Sequence, residues 1–325
     1  MLKVSQNFIN RFNHFVSLKE AFVFLIDFEG EKPLIFSPDE ASKNGLLFQT
    51  KDIKNFKDTI TQNCQAQPIS YPTDSKDFNH KFKAVQKHLQ NGDTYLLNLT
   101  FKTPINLNCS LKDIFYQAKA PYKIYLKNSF VCFSPETFVR TKGNRIFTYP
   151  MKGTIDATLS NALKKLLSDK KETYEHYTIV DLLRNDLSCI ATQINVDKFR
   201  YADRIKTSSG DLYQISSQIS GILPENWQKH AAEFFLKILP AGSISGAPKT
   251  KTIEIIQNLE SEKRGYYTGI FGYFDGQNFD SAVLIRYIEQ VDGQYFYRSG
   301  GGITALSNSK DEYNELKQKI YVPTD

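Results

Sequence analysis

The sequence predicts an α+β fold built on large antiparallel sheets. Three β-prone runs in the last third, "YYTGIFGYF", "FDSAVLIRYIEQV" and "QYFYRSG", are separated by Asp275-Gly276 and Asp292-Gly293. Those dipeptides tolerate the positive φ of tight hairpin turns, so the segment predicts an antiparallel meander. Strands also outnumber what a repeating βαβ pattern would give.

The rest of the chain alternates less regularly. "AFVFLIDF" and "TYLLNLTF" read as strands, while "FNHKFKAVQKHLQNGD" and "SLKDIFYQAKA" carry apolar residues at helical spacing. "SFVCFSPETFVRTKGNRIFTYP" predicts a hairpin turning at Lys142-Gly143-Asn144. "NALKKLLSDKKETYEHYTIVDLLRNDL" has no Gly or Pro and predicts a long helical segment. "LPAGSISGAPKTKTIEIIQNLE" reads as a glycine-rich turn entering an amphipathic helix, with Pro248 near its first position. "RSGGGITALSNS" reads as a loop after the last meander strand and before the terminal helix "SKDEYNELKQKI".

Composition narrows the class. At 325 residues, 41% hydrophobic and 13% aromatic, the chain can bury a large core. Its longest apolar run, Ala21 to Ile26, is far short of the roughly 20 residues a membrane span needs, so no membrane association is expected. Met1 to Arg11 is polar and does not read as a secretory signal. Cys64, Cys109, Cys132 and Cys189 are scattered, without Cys-x-x-Cys pairs or histidine clusters, which predicts neither a disulfide framework nor a zinc site and fits a cytoplasmic protein. The net charge of +6 comes from dispersed lysines, which argues against a nucleic-acid partner and fits a small anionic ligand or simple solubility. Without a linker or repeat, residues 1–325 read as one continuous domain.

Several groups could carry chemistry. Both glycine-rich segments could offer backbone N–H groups to carboxylates. Arg286, between apolar residues in "LIRYI", needs either a structural acid or a bound carboxylate. Glu312, Glu315 and Lys319 share one face of the terminal helix, where carboxylates could hold a hard divalent ion. Ser309 three residues before Glu312 would make a capping box and satisfy that acid without a metal. Lys152, between Met151 and Gly153 in "TYPMKGTI", is either a solvated turn residue or a nucleophile held in a pocket.

Taken in order, "GDTYLLNLT", "SPETFVR", "PMKGT", "IVDLLRNDL", "PAGSISGAPK", "RGYYTG", "LIRY" and "GGGI" followed by "DEYNELKQK" resemble the chorismate-utilising enzymes. That family includes anthranilate synthase component I, aminodeoxychorismate synthase component I and the isochorismate and salicylate synthases. The resemblance covers a catalytic core of residues 80–325; residues 1–75 match loosely, as a shortened N-terminal part. It implies a single complex domain of two large antiparallel sheets packed face to face with helices outside, and a Mg²⁺-dependent pocket between them. Glu175 and Glu315 look like metal-ligating glutamates, with Glu312 assisting through water. Gly242, Ser243, Tyr267, Arg286, Gly301, Gly302 and Lys319 look like the groups that hold the carboxylates of chorismate.

Within the family, a lysine at the position of Lys152 resembles the aminodeoxychorismate synthases, whereas relatives that act at ring carbon 2 typically have alanine. The resemblance implies that Lys152, deprotonated by its desolvated and cation-bearing pocket, is a covalent nucleophile, Glu136 the acid–base group and Thr154 a lining of the ammonia path. Leu96 replaces a polar family residue that can activate water, and Gln214 stands near a family histidine linked to pyruvate loss. Leu306, where relatives often have aspartate, has no functional reading. The implied activity is transaminase-class amination of chorismate to 4-amino-4-deoxychorismate, for 4-aminobenzoate and folate synthesis, with a glutamine amidotransferase partner supplying ammonia. Anthranilate synthase component I is the alternative enzyme, and a non-catalytic regulatory relative the alternative without chemistry.

Overall fold

Every residue of the strand Phe22–Ile26 is buried, because successive side chains point to opposite faces of a sheet and here both faces are covered. The computed structural model describes residues 2–59, 67–71, 74–205 and 211–324. Phe22, Phe24 and Ile26 enter a core with Phe12, Phe235 and Phe279. Val23 and Leu25 enter a second core with Phe48, Tyr122, Phe130 and Tyr287.

Phe22–Ile26 belongs to a nine-stranded sheet, antiparallel throughout. Its order is Met151–Asp156, Leu212–Ile222, Arg145–Thr148, Thr137–Lys142, Phe279–Val283, Ile270–Phe274, Phe22–Ile26, Leu34–Phe36, with Thr192–Ile205 also paired to Leu212–Ile222. An eight-stranded antiparallel sheet runs Gly246–Ala247, Leu96–Asn106, Gln294–Ile303, Tyr287–Val291, Phe130–Ser134, Tyr122–Leu126, Leu46–Gln49, with Ile69–Ser70 beside Leu96–Asn106. The second core draws side chains from both sheets, so the sheets pack face to face as expected.

Helices cover the outer faces. The helix Ser75–Gln90, capped by the Asp74 carboxylate, buries Phe78, Phe82, Val85 and Leu89 at helical spacing. These meet Leu97, Leu99, Ile255 and Leu316 behind the eight-stranded sheet. The predicted central helix is two helices, Ala162–Ser168 and Lys170–Ser188, because the Asp169 side chain accepts the Glu172 N–H and starts a new one. The hairpin at Lys142 forms as predicted, with Lys142 paired to Arg145 and Gly143 at φ 61°.

Three local expectations are corrected. "FDSAVLIRYIEQV" is two strands in different sheets, Phe279–Val283 and Tyr287–Val291, so Arg286 sits at a crossing with φ 56° instead of within a strand. The glycine cluster is strand, since Gly300, Gly301 and Gly302 pair with Thr100, Leu99 and Asn98. Beyond the Tyr287–Arg298 pair, however, this strand is laddered on one side only. The expectation of unpaired cysteines fails at Cys109, which is disulfide-bonded; sequence separation says nothing about proximity in space. Cys132 and Cys189 are free thiols, and Cys64 lies outside the described residues. Among the described residues, no helix is long and apolar enough to cross a membrane.

Candidate active site

The chain passes between the sheets at Pro135-Glu136 and again at Leu284–Arg286. The Val283 N–H donates to the Glu136 carbonyl at 3.2 Å, and the Phe133 N–H donates to the Arg286 carbonyl at 3.1 Å, so the two crossings brace each other. A cavity of about 550 Å³ opens beside them. It is lined by Glu136, Lys152, Thr154, Glu175, Ser243, Tyr267, Arg286, Gly301, Gly302, Glu315 and Lys319, residues that lie far apart in sequence.

Four of the eight buried side-chain polar atoms without a hydrogen-bond partner among the described residues belong to residues that line this cavity: Asn98 Oδ1, Glu172 Oε2, Arg286 Nε and Ser299 Oγ. A buried polar group left unpaired is costly, and such a concentration marks a place built for a polar ligand. A larger groove of about 830 Å³, lined by Leu2, Lys237 and Arg264, holds none of these atoms.

Lys152 lies in the strand Met151–Asp156, whose register shifts between Met151 and Thr154. Gly153 takes φ 83° at the shift, and a β-carbon there would stand 2.9 Å from Glu172 Oε2, so glycine suits both the backbone and the neighbouring acid. Thr154 pairs with Gln214, and both line the cavity, as does Leu96. Leu306 is 71% exposed.

Lys152 Nζ stands 2.6 Å from Glu175 Oε2. Burial pulls the lysine pKa down, but Glu175, with Glu315 and Glu172 nearby, outweighs it and the net shift is upward. Burial thus favours the expected neutral amine, while the carboxylates around Lys152 pull toward the ammonium and prevail unless their charge is neutralised. Lys319 behaves oppositely. Its burial and the Arg286 charge lower its pKa against the pull of Glu315, 2.8 Å away. Lys319 also donates to the Gly300 carbonyl at 2.8 Å.

Glu136 is held by Ser243, whose hydroxyl donates to Oε1 at 2.5 Å. Burial raises the Glu136 pKa, with Ser243, Arg286 and Lys319 opposing. A carboxyl pushed upward in this way is suited to keeping a proton until a substrate oxygen needs it.

Arg286 packs its guanidinium 5.3 Å from the Tyr321 ring centre, while its Nε remains unpaired. Tyr267 is buried beside it, in the turn preceding the strand Ile270–Phe274 and not in that strand.

Two proposed residues stand back from the cavity. The Gly242 N–H is taken by Asp186 Oδ2 at 3.0 Å, so it is not free for substrate. Glu312 lies behind Gly301, where a β-carbon would come 3.5 Å from Glu312 Oε2, and it accepts the Ser307 hydroxyl at 2.8 Å. The predicted capping box is absent, because Asn308 caps the terminal helix in place of Ser309.

Sequence reading missed Glu172, Lys171, Asn98, Ser299 and Tyr321, all of which line the cavity. Glu172 was recoverable, since it precedes Glu175 by three residues on the Lys170–Ser188 helix, as Glu312 precedes Glu315 on its own. Lys171 Nζ bridges the two helices, 3.8 Å from Glu175 Oε1 and 3.7 Å from Glu312 Oε1.

The acids suit a hard divalent ion: carboxylate oxygens from two helices, with Glu172 Oε2 buried and unpartnered. No three acids, histidines or cysteines among the described residues form a ready cage. Water and substrate oxygens would have to complete the coordination.

Residues 34–325 match the family described as chorismate binding enzyme. The chain is 53% identical over 321 residues to a Haemophilus influenzae protein named "Uncharacterized PabA-like protein", covering 98% of this chain and 97% of that one. It is 32% identical over 261 residues to aminodeoxychorismate synthase component 1 of Escherichia coli, covering 75% of this chain but 56% of that relative. Anthranilate synthase component I from Streptococcus pneumoniae superposes with a TM-score of 0.67 at 27% identity, over 80% of this chain and 60% of that one. With its two antiparallel sheets, its cavity at their crossings and this match over most of its length, the chain belongs to the chorismate binding enzyme family.

Proposed function

We propose that the protein is an aminodeoxychorismate synthase component, converting chorismate and ammonia to 4-amino-4-deoxychorismate and water through a covalent bond to Lys152. The observation that carries this reading is the presence of Lys152 in the same cavity as the Ser243-bound carboxyl of Glu136.

Glu175 and Glu315, with Glu172 and Glu312 behind them, would hold Mg²⁺. Bound there, the ion supplies neutralisation of these acids and a grip on the ring carboxylate of chorismate. Arg286, Tyr267, Lys319 and the open edge of Gly301-Gly302 bind and orient the other carboxylate. The neutral Lys152 amine forms a bond to ring carbon 2, both ring double bonds shift (C1=C2 to C1=C6 and C5=C6 to C4=C5), and the carbon-4 hydroxyl leaves as water with the proton of Glu136. Ammonia then bonds to carbon 4, both double bonds return to their original positions, and the C–N bond to Lys152 breaks, its electron pair restoring the neutral amine. The Glu136 carboxylate takes the proton ammonia sheds. Leu96 offers no base for water at carbon 2, and Thr154 flanks the approach of ammonia. A separate glutamine amidotransferase would deliver the ammonia.

The test is product analysis with chorismate, Mg²⁺ and ammonium at mildly alkaline pH. The reading predicts aminodeoxychorismate without free pyruvate, and loss or change of product in Lys152→Ala. Anthranilate and pyruvate would point instead to the anthranilate synthase reaction. No turnover, even with a glutaminase supplied, would leave a regulatory relative.

A further inference from the structure

We infer that Asp186 is a positioning residue for the reaction proposed above, acting through Gly242 and Ser243 on the Glu136 carboxyl; the inference rests on that functional reading. The short helical turn Gly242–Ser245 presents Ser243 to Glu136, yet Ala241 before it has no side chain that could cap its N–H groups. Asp186 supplies the cap from another element. Its Oδ2 accepts the Gly242 N–H at 3.0 Å and its Oδ1 is paired with Lys249 Nζ at 2.8 Å. Lys249 is fixed in turn by donating to the Ile238 carbonyl at 2.8 Å.

The approach is close enough to require glycine. A β-carbon at residue 242 would lie 2.7 Å from Asp186 Oδ2 and 2.9 Å from Leu182 Cγ. Asp186 is also 11 residues beyond Glu175 on the Lys170–Ser188 helix, about three turns, which returns it to nearly the same face. One rigid helix therefore places Glu175 in the cavity and, roughly 16 Å further along, fixes the turn that holds the acid–base group. The "RNDL" and "PAGSISGAPK" segments meet at this contact, and neither Asp186 nor Lys249 lines the cavity.

The experiment is a double-mutant cycle on the full chain, measuring kcat, KM and the pH profile of aminodeoxychorismate formation. Ser243→Ala removes the donor that holds the Glu136 pKa down, so it should lower kcat about tenfold and move the alkaline limb of the profile upward. Asp186→Asn should do the same, with KM changed less than about twofold. The double variant should be no slower than Ser243→Ala by more than about twofold, because both changes break one path.

Multiplying losses, or an Asp186→Asn loss without movement of the alkaline limb, would overturn the inference. If Asp186→Asn does not fold by circular dichroism, Lys249→Gln is carried through the same cycle and should show the same non-additivity with Ser243→Ala; additivity there also overturns it. Glu136→Gln separates the two levels. If it turns over like the wild type, the functional reading falls; if it is impaired while the cycle is additive, only the role of Asp186 falls.

Discussion

At the scale of single residues, the site is a set of opposite charges whose protonation depends on one another. Lys152 and Glu175 are paired at 2.6 Å, and Lys319 and Glu315 at 2.8 Å. The Lys152–Glu175 pairing was not legible in the sequence, because its partners come from separate segments, whereas Glu315 and Lys319 stand four residues apart on one helix and were expected to share a face. Residue types were legible: Lys152, Glu136, Glu175, Arg286, Glu315 and Lys319 do converge on one cavity. Arg286 offers the sharpest test of binding. Its Nε is buried without a partner, and an ammonium cannot reproduce the guanidinium fork. Arg286→Lys should raise KM for chorismate about 10- to 100-fold and change kcat much less, as steady-state kinetics would show.

At the scale of elements, hydrophobic period and turn chemistry located most helices and strands, while the crossings between sheets stayed hidden. "AVLIRYI" reads as one apolar strand because both sheets want the same residue types, and only the left-handed backbone at Arg286 marks the change. The triple glycine read as loop because glycine is poor in strands, yet here it lets Glu312 and Lys319 approach the backbone.

A buried lysine remote from the site gives a pH prediction at this scale. Lys123 donates to the Phe115 and Ala118 carbonyls at the end of the helix Leu111–Gln117, and burial lowers its pKa to about 8. Between about pH 8 and its unfolded value near 10.5, the unfolded chain holds a proton the folded one has lost, so stability gains with rising pH from this group. Relative to Lys123→Met, the wild type should therefore gain stability across that window, by at most about 3 kcal/mol. Thermal melts of both proteins from pH 7 to 10 measure the difference, and parallel curves would contradict it.

At the scale of the whole molecule, the two sheets are a frame that brings two chain crossings together. Glu136 and Arg286 belong to these crossings and are tied through the backbone at Val283 and Phe133. Helices then add charge from outside: Glu172 and Glu175 from one, Glu315 from another, and Lys319 at the end of that second helix. The order of motifs identified the family, whereas this assembly became visible only in three dimensions. The central claim is that Lys152 bonds covalently to the substrate. The most direct measurement is peptide mass spectrometry of the protein quenched with chorismate and Mg²⁺ in the absence of ammonia. The account predicts a Lys152 peptide heavier by chorismate minus water, discharged as aminodeoxychorismate when ammonium is added and absent in Lys152→Ala. Steady aminodeoxychorismate production by Lys152→Ala, or turnover of the wild type with Lys152 never modified, would contradict it.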